Sequence, residues 1–231
     1  MLVYTSCSGA CMLFGGLLSC IENIHPRWLE TEIRHGVIAF GGGVLAAAVA
    51  LVLVPEGESY VSSPALATII FATGGVVFFA LDWFFGKRGQ EAPQLSAMLL
   101  DYLPESLALG AIFSLQSPTA PLLAVLIGLQ NLPEGFNTYR EQVAKGNITS
   151  KRTLLMMLML IPLGPLFGSV GWIYGANHPG LVGGLMLFSA GGILYLLFQD
   201  IAPQSRLRKH WVPALGAVFG FSIGMLGQLM R

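Results

Sequence analysis

Two related stretches of the sequence place acidic side chains beside a proline inside an apolar run. The first is "DYLPESLALG", which carries Asp101 and Glu105, and the second is "QNLPEGFNTY", which carries Gln130 and Glu134. Residues four apart lie on the same face of an α-helix. Each stretch therefore predicts a helix that presents a pair of oxygen-bearing side chains to one side.

The amino-acid composition indicates the class of protein that carries these motifs. The chain has 231 residues, of which 54% are hydrophobic and only 10% are charged, whereas a soluble domain carries about 25% charged residues. Its mean hydropathy is +0.69. The sequence therefore predicts an all-α polytopic membrane protein whose partner is the lipid bilayer. A formal net charge of zero gives no basic surface for a nucleic acid.

The apolar stretches predict eight transmembrane helices within a single transmembrane domain covering residues 1–231. A membrane helix needs about 20 mostly apolar residues, and the separating segments carry proline, glycine and charge. The predicted spans are about 2–20, 35–54, 65–85, 95–115, 119–139, 153–174, 181–200 and 212–230.

The basic residues predict the orientation of these spans. All but one fall in the first, third, fifth and seventh connections, and the exception is Arg231. Because cytoplasmic loops are enriched in Lys and Arg, we expect both termini on the non-cytoplasmic side of the cell (inner) membrane. The residues on the predicted cytoplasmic side are Arg27, Arg34, Lys87, Arg88, Arg140, Lys145, Lys151, Arg152, Arg206, Arg208 and Lys209.

The acidic residues of the two motifs need a partner at membrane depth. If Asp101, Glu105 and Glu134 faced lipid, they would together cost on the order of 8–10 kcal/mol, so we expect them to face a polar interior. No Lys or Arg lies within the apolar part of any predicted span. The cation that these carboxylates require is therefore most simply an ion that the protein binds, with Gln130 adding an amide oxygen.

The prolines strengthen this interpretation. Pro104 removes the amide that would bond the Leu100 carbonyl, and Pro133 does the same to Leu129. A bare carbonyl is tolerated in a membrane where it lines protein or a wet cavity, and bent helices at a repeat interface often form a transporter site. The structural alternative is a proline kink with a protonated, hydrogen-bonded carboxyl group.

A second repeat surrounds the first. The stretch "FGGGVLAAAVALVLVPEG" (residues 40–57) aligns without a gap with "FSAGGILYLLFQDIAPQS" (residues 188–205), although the two predicted spans run in opposite directions. The coinciding positions are Phe40 with Phe188, Gly43 with Gly191 and Pro55 with Pro203. This pattern predicts a 3+2+3 inverted repeat. Its outer repeats cover about 1–85 and 153–231, and they flank a central helix pair at about 95–139.

Together these motifs resemble the ZIP (ZRT/IRT-like) family of divalent metal transporters. The family pattern "HN-x-PEG" in the fourth span and "HN-x-PEG" or "QD-x-PEG" in the fifth is similar to "DYLPES" and "QNLPEG" here. The resemblance implies eight spans, a 3+2+3 inverted arrangement and both termini outside. It also implies alternating-access transport of a divalent metal cation into the cytoplasm, with zinc as the first expectation and manganese or iron as alternatives. It allows a homodimer.

The resemblance also implies which residues hold the metal. The matching positions are Asp101 and Glu105 in the fourth span and Gln130 and Glu134 in the fifth, while Asn131 matches a position that serves a second, adjacent metal. The chain departs from the family where Asp101 replaces histidine, Tyr102 replaces asparagine and Ile161 replaces a bridging glutamate in "IPLG". We therefore expect one intramembrane metal rather than a pair.

The predicted ligand set indicates which metal the site would prefer. Three carboxylates and an amide form an all-oxygen set, which suits manganese and other hard ions, although zinc accepts carboxylates. Asn131 and Asn137 are the secondary candidates for contact with the metal, and Asn137, one turn beyond Glu134, either lines the exit path or makes an ordinary interhelical hydrogen bond. We expect no enzyme and no cofactor: an intramembrane hydrolase would need a serine with a buried histidine or paired catalytic aspartates, and the four histidines fall in connections or, for His35, at the very end of a predicted span. The alternative function is a non-transporting ZIP-like membrane protein with a degenerate metal site.

Overall fold

The computed structural model of the chain describes residues 1–21, 27–86, 93–144, 149–207 and 212–230, and all regular secondary structure within these ranges is helical. In chain order the elements are α1 (Leu2–Ile21), α2 (Arg27–Ala47), a first π-helical segment (Ala48–Leu53), α3 (Val54–Ser59), α4 (Pro64–Gly86), α5 (Pro93–Ser114), α6 (Ala120–Ala144), α7 (Ser150–Leu160), α8 (Leu163–Gly175), α9 (Pro179–Leu196), a second π-helical segment (Leu197–Ile201), α10 (Ala202–Ser205) and α11 (Val212–Leu229).

Within the described ranges, six helical stretches are long and apolar enough to cross a membrane. They are Leu2–Ile21, Thr31–Ser59, Pro64–Phe84, Ser150–Gly175, Pro179–Ser205 and Val212–Leu229. These stretches coincide with the first three and the last three predicted spans. The prediction of an all-α chain with several membrane-length apolar helices is therefore confirmed.

The two remaining predicted spans correspond to α5 and α6. They have 22 and 25 residues, which is enough to cross the hydrocarbon layer. They fall outside the set of six apolar stretches, and both carry the polar motifs that lower their hydropathy. The count of eight spans and the 3+2+3 arrangement accordingly stay predictions.

Both π-helical segments end two residues before a proline. The amide of Val54 bonds the carbonyl of Val49, and the amide of Ala202 bonds that of Leu197, so each bond reaches back five residues instead of four. Proline follows each of these amides, at positions 55 and 203, and it cannot donate a hydrogen bond. The wider turn is a common feature of functional sites in helices, and here it recurs at aligned positions of the second internal repeat.

The helices pack in pairs that form two groups. In the first group α1 packs on α6, α8 packs on α5, and α1 also contacts α7 and α8. In the second group α11 packs on α2, and α4 and α3 pack on α9. The groups meet mainly where α2 contacts α6 and where α9 contacts α5. We call them the motif group (α1, α5–α8) and the flanking group (α2–α4, α9–α11).

Glycines allow the close pairings within the flanking group. A Cβ at Gly43 would collide with the carbonyl of Ala217 on α11, and a Cβ at Gly191 would collide with the carbonyl of Phe71 on α4. Gly43 and Gly191 are aligned positions of the internal repeat. The sequence repeat is thus accompanied by the same kind of helix contact in both halves.

One half of the bundle has a continuous apolar core. Buried aliphatic residues from 44–53, 108–112, 120–127 and 182–193 form a single cluster around α2, α5, α6 and α9. We call this part the apolar half. The two motifs lie beyond it, toward the ends of α2, α6 and α10 that the basic residues assign to the cytoplasmic side.

Candidate metal-binding site

The structure brings the predicted ligands of α5 and α6 together. The Gln130 amide donates from Nε2 to Glu105 Oε1 at 2.6 Å and to Asp101 Oδ2 at 3.4 Å. The Asp101 and Glu134 side chains are within hydrogen-bonding reach of each other. The residues form one polar cluster because α5 and α6 are in contact and each carries its pair on one face.

The cluster is deeply enclosed. Asp101 is 3% exposed, Glu105 is fully buried and Gln130 is 1% exposed, while Glu134 is half-buried and borders a cavity. Two ionised carboxylates in direct contact repel each other. Asp101 and Glu134 therefore require either a proton or a cation between them.

Each of the four side chains has one buried oxygen that accepts no hydrogen bond from any described residue. These atoms are Asp101 Oδ1, Glu105 Oε2, Gln130 Oε1 and Glu134 Oε2. A buried acceptor without a donor costs about 1–3 kcal/mol, and more when it is charged. Four unsatisfied acceptors in one cluster, three of them carboxylate oxygens, fit a divalent cation held by oxygen ligands.

The cluster is not arranged as a finished coordination sphere. Among the described residues, no group of three or more His, Cys, Asp or Glu side chains is placed to hold a metal ion. The Gln130 amide nitrogen lies between the carboxylates of Glu105 and Asp101 and donates to both. Metal binding would therefore need the amide to turn its oxygen inward, so that Gln130 changes from a donor to a ligand.

The residue that follows the first ligand in each motif bonds to α1. Asn131 donates from Nδ2 to the Ser8 carbonyl at 2.9 Å, and the Tyr102 hydroxyl donates to the Thr5 carbonyl at 3.3 Å. Asn131 Oδ1 is buried and accepts no bond from the described side chains or backbone. Asn131 thus holds α6 against α1 through its nitrogen and keeps an oxygen available.

Tyr102, which stands where the family motif has asparagine, fills a buried space beside the cluster. It is 1% exposed, and its hydroxyl lies where a Cβ at Gly9 of α1 or Gly164 of α8 would be. The ring therefore occupies a slot between α1, α5 and α8 that only glycines leave open. Ile161 also contacts this slot through its Cα, close to Gly9.

Asn137 combines the two roles between which the sequence could not decide. It borders the cavity beside Glu134 and also makes interhelical hydrogen bonds. Its Nδ2 donates to Gln204 Oε1 at 2.9 Å, and its Oδ1 accepts from Arg34 Nε at 3.3 Å and Arg34 Nη2 at 3.1 Å. Asn137 therefore lines the cavity and does not belong to the carboxylate cluster.

A cavity of about 50 Å³ leads away from the cluster. Asp101 and Glu134 lie at one end of it, and Asn137, Asp200 and Gln204 also line it. The opposite side of the cluster is closed by the apolar half. In the described part of the chain, this cavity opens the cluster toward the ends of α6 and α10 that are predicted to be cytoplasmic.

Sequence reasoning missed three residues near the cavity. The sequence patterns assign Arg34 only to the predicted cytoplasmic side, and they give Asp200 no role. Gln204 stood in the internal repeat without a role of its own. The available signal was its position: Gln204 directly follows Pro203, which aligns with Pro55, and so it lies just past the second π-helical segment.

Comparison with models of known protein families and with curated protein sequences gives no match for this chain. The resemblance to the ZIP family therefore depends on the quoted sequence motifs alone.

Proposed function

We propose that the protein is a carrier that moves a divalent metal cation across a membrane into the cytoplasm by alternating access. The observation that carries this proposal is the cluster of four buried, unsatisfied acceptor oxygens from Asp101, Glu105, Gln130 and Glu134. A cation can accept the three carboxylate oxygens directly, and it accepts the Gln130 oxygen once the amide has turned, whereas four separate hydrogen-bond donors would be needed otherwise. The metal is the transported substrate, and no cofactor enters the proposal.

The helix contacts support the 3+2+3 inverted repeat on which such a carrier depends. In such a repeat the equivalent spans are the first and sixth, the second and seventh, the third and eighth, and the fourth and fifth. When each span is replaced by its equivalent, each major helix pairing becomes another observed pairing. The contact of α1 with α6 becomes that of α8 with α5, and α2 with α11 becomes α9 with α4. The two π-helical segments also exchange places. Inverted repeats of this kind are common in carriers that alternate access around a central site.

The packing suggests which parts move relative to each other. The carboxylate cluster lies entirely within the motif group, and α1 and α8 pack more extensively on α5 and α6 than the flanking helices do. We therefore expect α1 and α7–α8 to move together with the central pair, and the flanking group to provide the surface against which they slide. The cavity on one side and the apolar half on the other correspond to an inward-facing state.

The ligand chemistry supports one hard or borderline ion. All four unsatisfied oxygens come from carboxyl or amide groups, which suit manganese well and zinc acceptably. Tyr102 occupies the neighbouring slot, so the proposal is for a single ion. Zinc stays first because the resemblance implies it, and manganese and iron are the alternatives that the experiment distinguishes.

The test is uptake by proteoliposomes of the purified protein, with Zn²⁺, Mn²⁺, Fe²⁺, Co²⁺ and Cd²⁺ supplied singly. The decisive variant is Glu105→Ala/Glu134→Ala. Its matched control is Glu58→Ala, because Glu58 is an exposed glutamate at the far end of α3. Uptake by the wild type and by Glu58→Ala, with none by the double variant, is the expected result.

A non-transporting protein with a degenerate metal site is the competing function. It is favoured by the Gln130 amide, which already bridges Glu105 and Asp101, and by the lack of a three-residue His, Cys, Asp or Glu cluster among the described residues. Metal-dependent thermal stabilisation without uptake would select this function. The expected stabilisation for one saturating ion is about 2.7 kcal/mol at a metal concentration 100 times Kd.

A further inference from the structure

An arginine lies next to the cavity, where it is bonded to one of the lining residues. Ile38 and Gly41 of α2 line the cavity, and Arg34 lies four residues before Ile38 on the same face of the helix. Its guanidinium donates from both Nε and Nη2 to Asn137 Oδ1. Among the described residues that these contacts connect to the cavity, Arg34 is the basic one. Its two hydrogen bonds hold it in a defined position.

The arginine is part of a three-residue bridge between the two helix groups. Asn137 of α6 accepts from Arg34 of α2 and donates to Gln204 of α10 at 2.9 Å. We call these three residues the Arg34 bridge. Asn137 lies three residues after Glu134 on α6, which corresponds to about 4.5 Å along the helix axis. The bridge therefore lies about one helical turn from the carboxylate cluster.

The charge of Arg34 is not cancelled by the group that holds it. A guanidinium stays protonated under all ordinary conditions, and its acceptor in the bridge is the neutral amide of Asn137. Arg34 is partly buried, so its field extends into the cavity with less screening than in bulk water. A cation that leaves the cluster toward Asn137 and Gln204 must approach this positive charge.

We propose that Arg34 is an electrostatic gate that controls the passage of cations between the cavity and the cytoplasmic side. The Coulomb energy is proportional to the charge of the ion, so the gate slows a divalent ion by the square of the factor by which it slows a monovalent ion. Its consequence for transport rests on the proposed function. Its effect on the electrostatics of the cavity can be measured without any transport.

Two substitutions separate the charge of Arg34 from its hydrogen bonds. Arg34→Gln removes the charge and keeps an amide that can bond Asn137. Arg34→Lys keeps the charge and loses the planar fork that bonds one acceptor twice. If the residue only fastened α2 to α6, glutamine would replace it at least as well as lysine. If its charge matters, lysine will preserve the wild-type behaviour and glutamine will not.

The first measurement uses a cysteine at Ile201, which lines the cavity and is partly exposed, in a chain whose Cys7, Cys11 and Cys20 are replaced by serine. Purified protein in detergent is treated with a cationic trimethylammonium methanethiosulfonate or an anionic sulfonate methanethiosulfonate, and the two labelling rates are compared. We expect Arg34→Gln to lower the anion-to-cation rate ratio by about three- to tenfold. The difference should shrink when salt is raised from about 0.05 M to 1 M.

The outcomes are distinct. An unchanged ratio in Arg34→Gln, a ratio in Arg34→Lys that matches Arg34→Gln, or a difference that is insensitive to salt would each overturn the gate. Metal flux in proteoliposomes then tests the transport consequence, with faster divalent flux expected for Arg34→Gln than for the wild type. No flux in the wild type would refute the proposed function and leave the labelling result standing, whereas wild-type flux with an unchanged Arg34→Gln ratio would refute only the gate.

Discussion

The motif on α5 and the motif on α6 have nearly the same sequence pattern but different surroundings. Glu105 is fully buried and is held by Gln130, whereas Glu134 is half-buried and borders the cavity. Ser106 follows the first glutamate and Gly135 follows the second. The first motif thus presents Asp101 to the cavity and keeps its glutamate enclosed, whereas the second motif presents its glutamate to the cavity.

This difference shows how a symmetric sequence produces an asymmetric site. Under the proposed alternating access, the two halves of an inverted repeat exchange their surroundings between the two states. In the described conformation the apolar half covers Glu105 and leaves Glu134 accessible. An opposite conformation would be expected to reverse these two environments.

The largest expected effect comes from neutralising either glutamate. Removing one member of a buried charged group costs about 3–5 kcal/mol, so Glu105→Gln and Glu134→Gln should each reduce metal uptake by at least about 100-fold. The measurement is initial uptake in proteoliposomes, with Glu58→Gln as the control. Normal uptake by one of the two variants would show that the motifs are not two parts of one site.

The next effect concerns the residue after each glutamate. A Cβ at Gly135 would collide with the backbone of Met12 on α1, whereas α5 already accommodates a side chain at Ser106. We expect Gly135→Ala to destabilise the protein by about 1–3 kcal/mol, as overpacking does, and Ser106→Ala to cause a much smaller change. Thermal unfolding in detergent measures both. Equal destabilisation by the two variants would contradict the close approach of α1 to α6.

Chemical labelling tests the difference in solvent access between Glu134 and Glu105. A water-soluble carbodiimide with an amine nucleophile should modify Glu134 at least about tenfold faster than Glu105, because labelling requires solvent contact and Glu105 has none. Peptide mass spectrometry resolves the two residues. Saturating metal should protect Glu134. Comparable labelling of both glutamates would mean that the enclosed environment of Glu105 is not the populated one.

The smallest effect is expected at Tyr102, which lies two residues before Pro104 on α5. Tyr102→Phe removes only the hydroxyl that donates to the Thr5 carbonyl at 3.3 Å, which is worth about 0.5–1.5 kcal/mol. Because the ring still fills the slot, uptake should stay within about twofold of the wild type. Tyr102→Ala should lower stability by several times as much, as expected for a buried aromatic side chain. A loss of uptake in Tyr102→Phe would instead place the hydroxyl in the metal site.

Local pattern was sufficient to predict the helices and the ligand pairs. Apolar runs separated by charged, glycine-containing and proline-containing segments predicted the six membrane-length helices, and i,i+4 spacing predicted that Asp101 would share a face with Glu105 and Gln130 with Glu134. The gap-free alignment of residues 40–57 with 188–205 predicted that the two halves of the chain form an inverted repeat. Matching π-helical segments and glycine contacts lie at those positions.

The remaining features depend on contacts between residues far apart in the chain. The sequence by itself determined that carboxylates lie in apolar helices and that their charge must be compensated there by a proton, a partner or an ion, because burying a bare charge is costly. Only the tertiary structure decided that Glu134 faces a cavity while Glu105 is enclosed, and that Tyr102 fills a slot between α1 and α8. It also placed Arg34 against Asn137, which is 103 residues away. Local periodicity fixes which face a side chain occupies, but the packing of distant helices decides what that face meets.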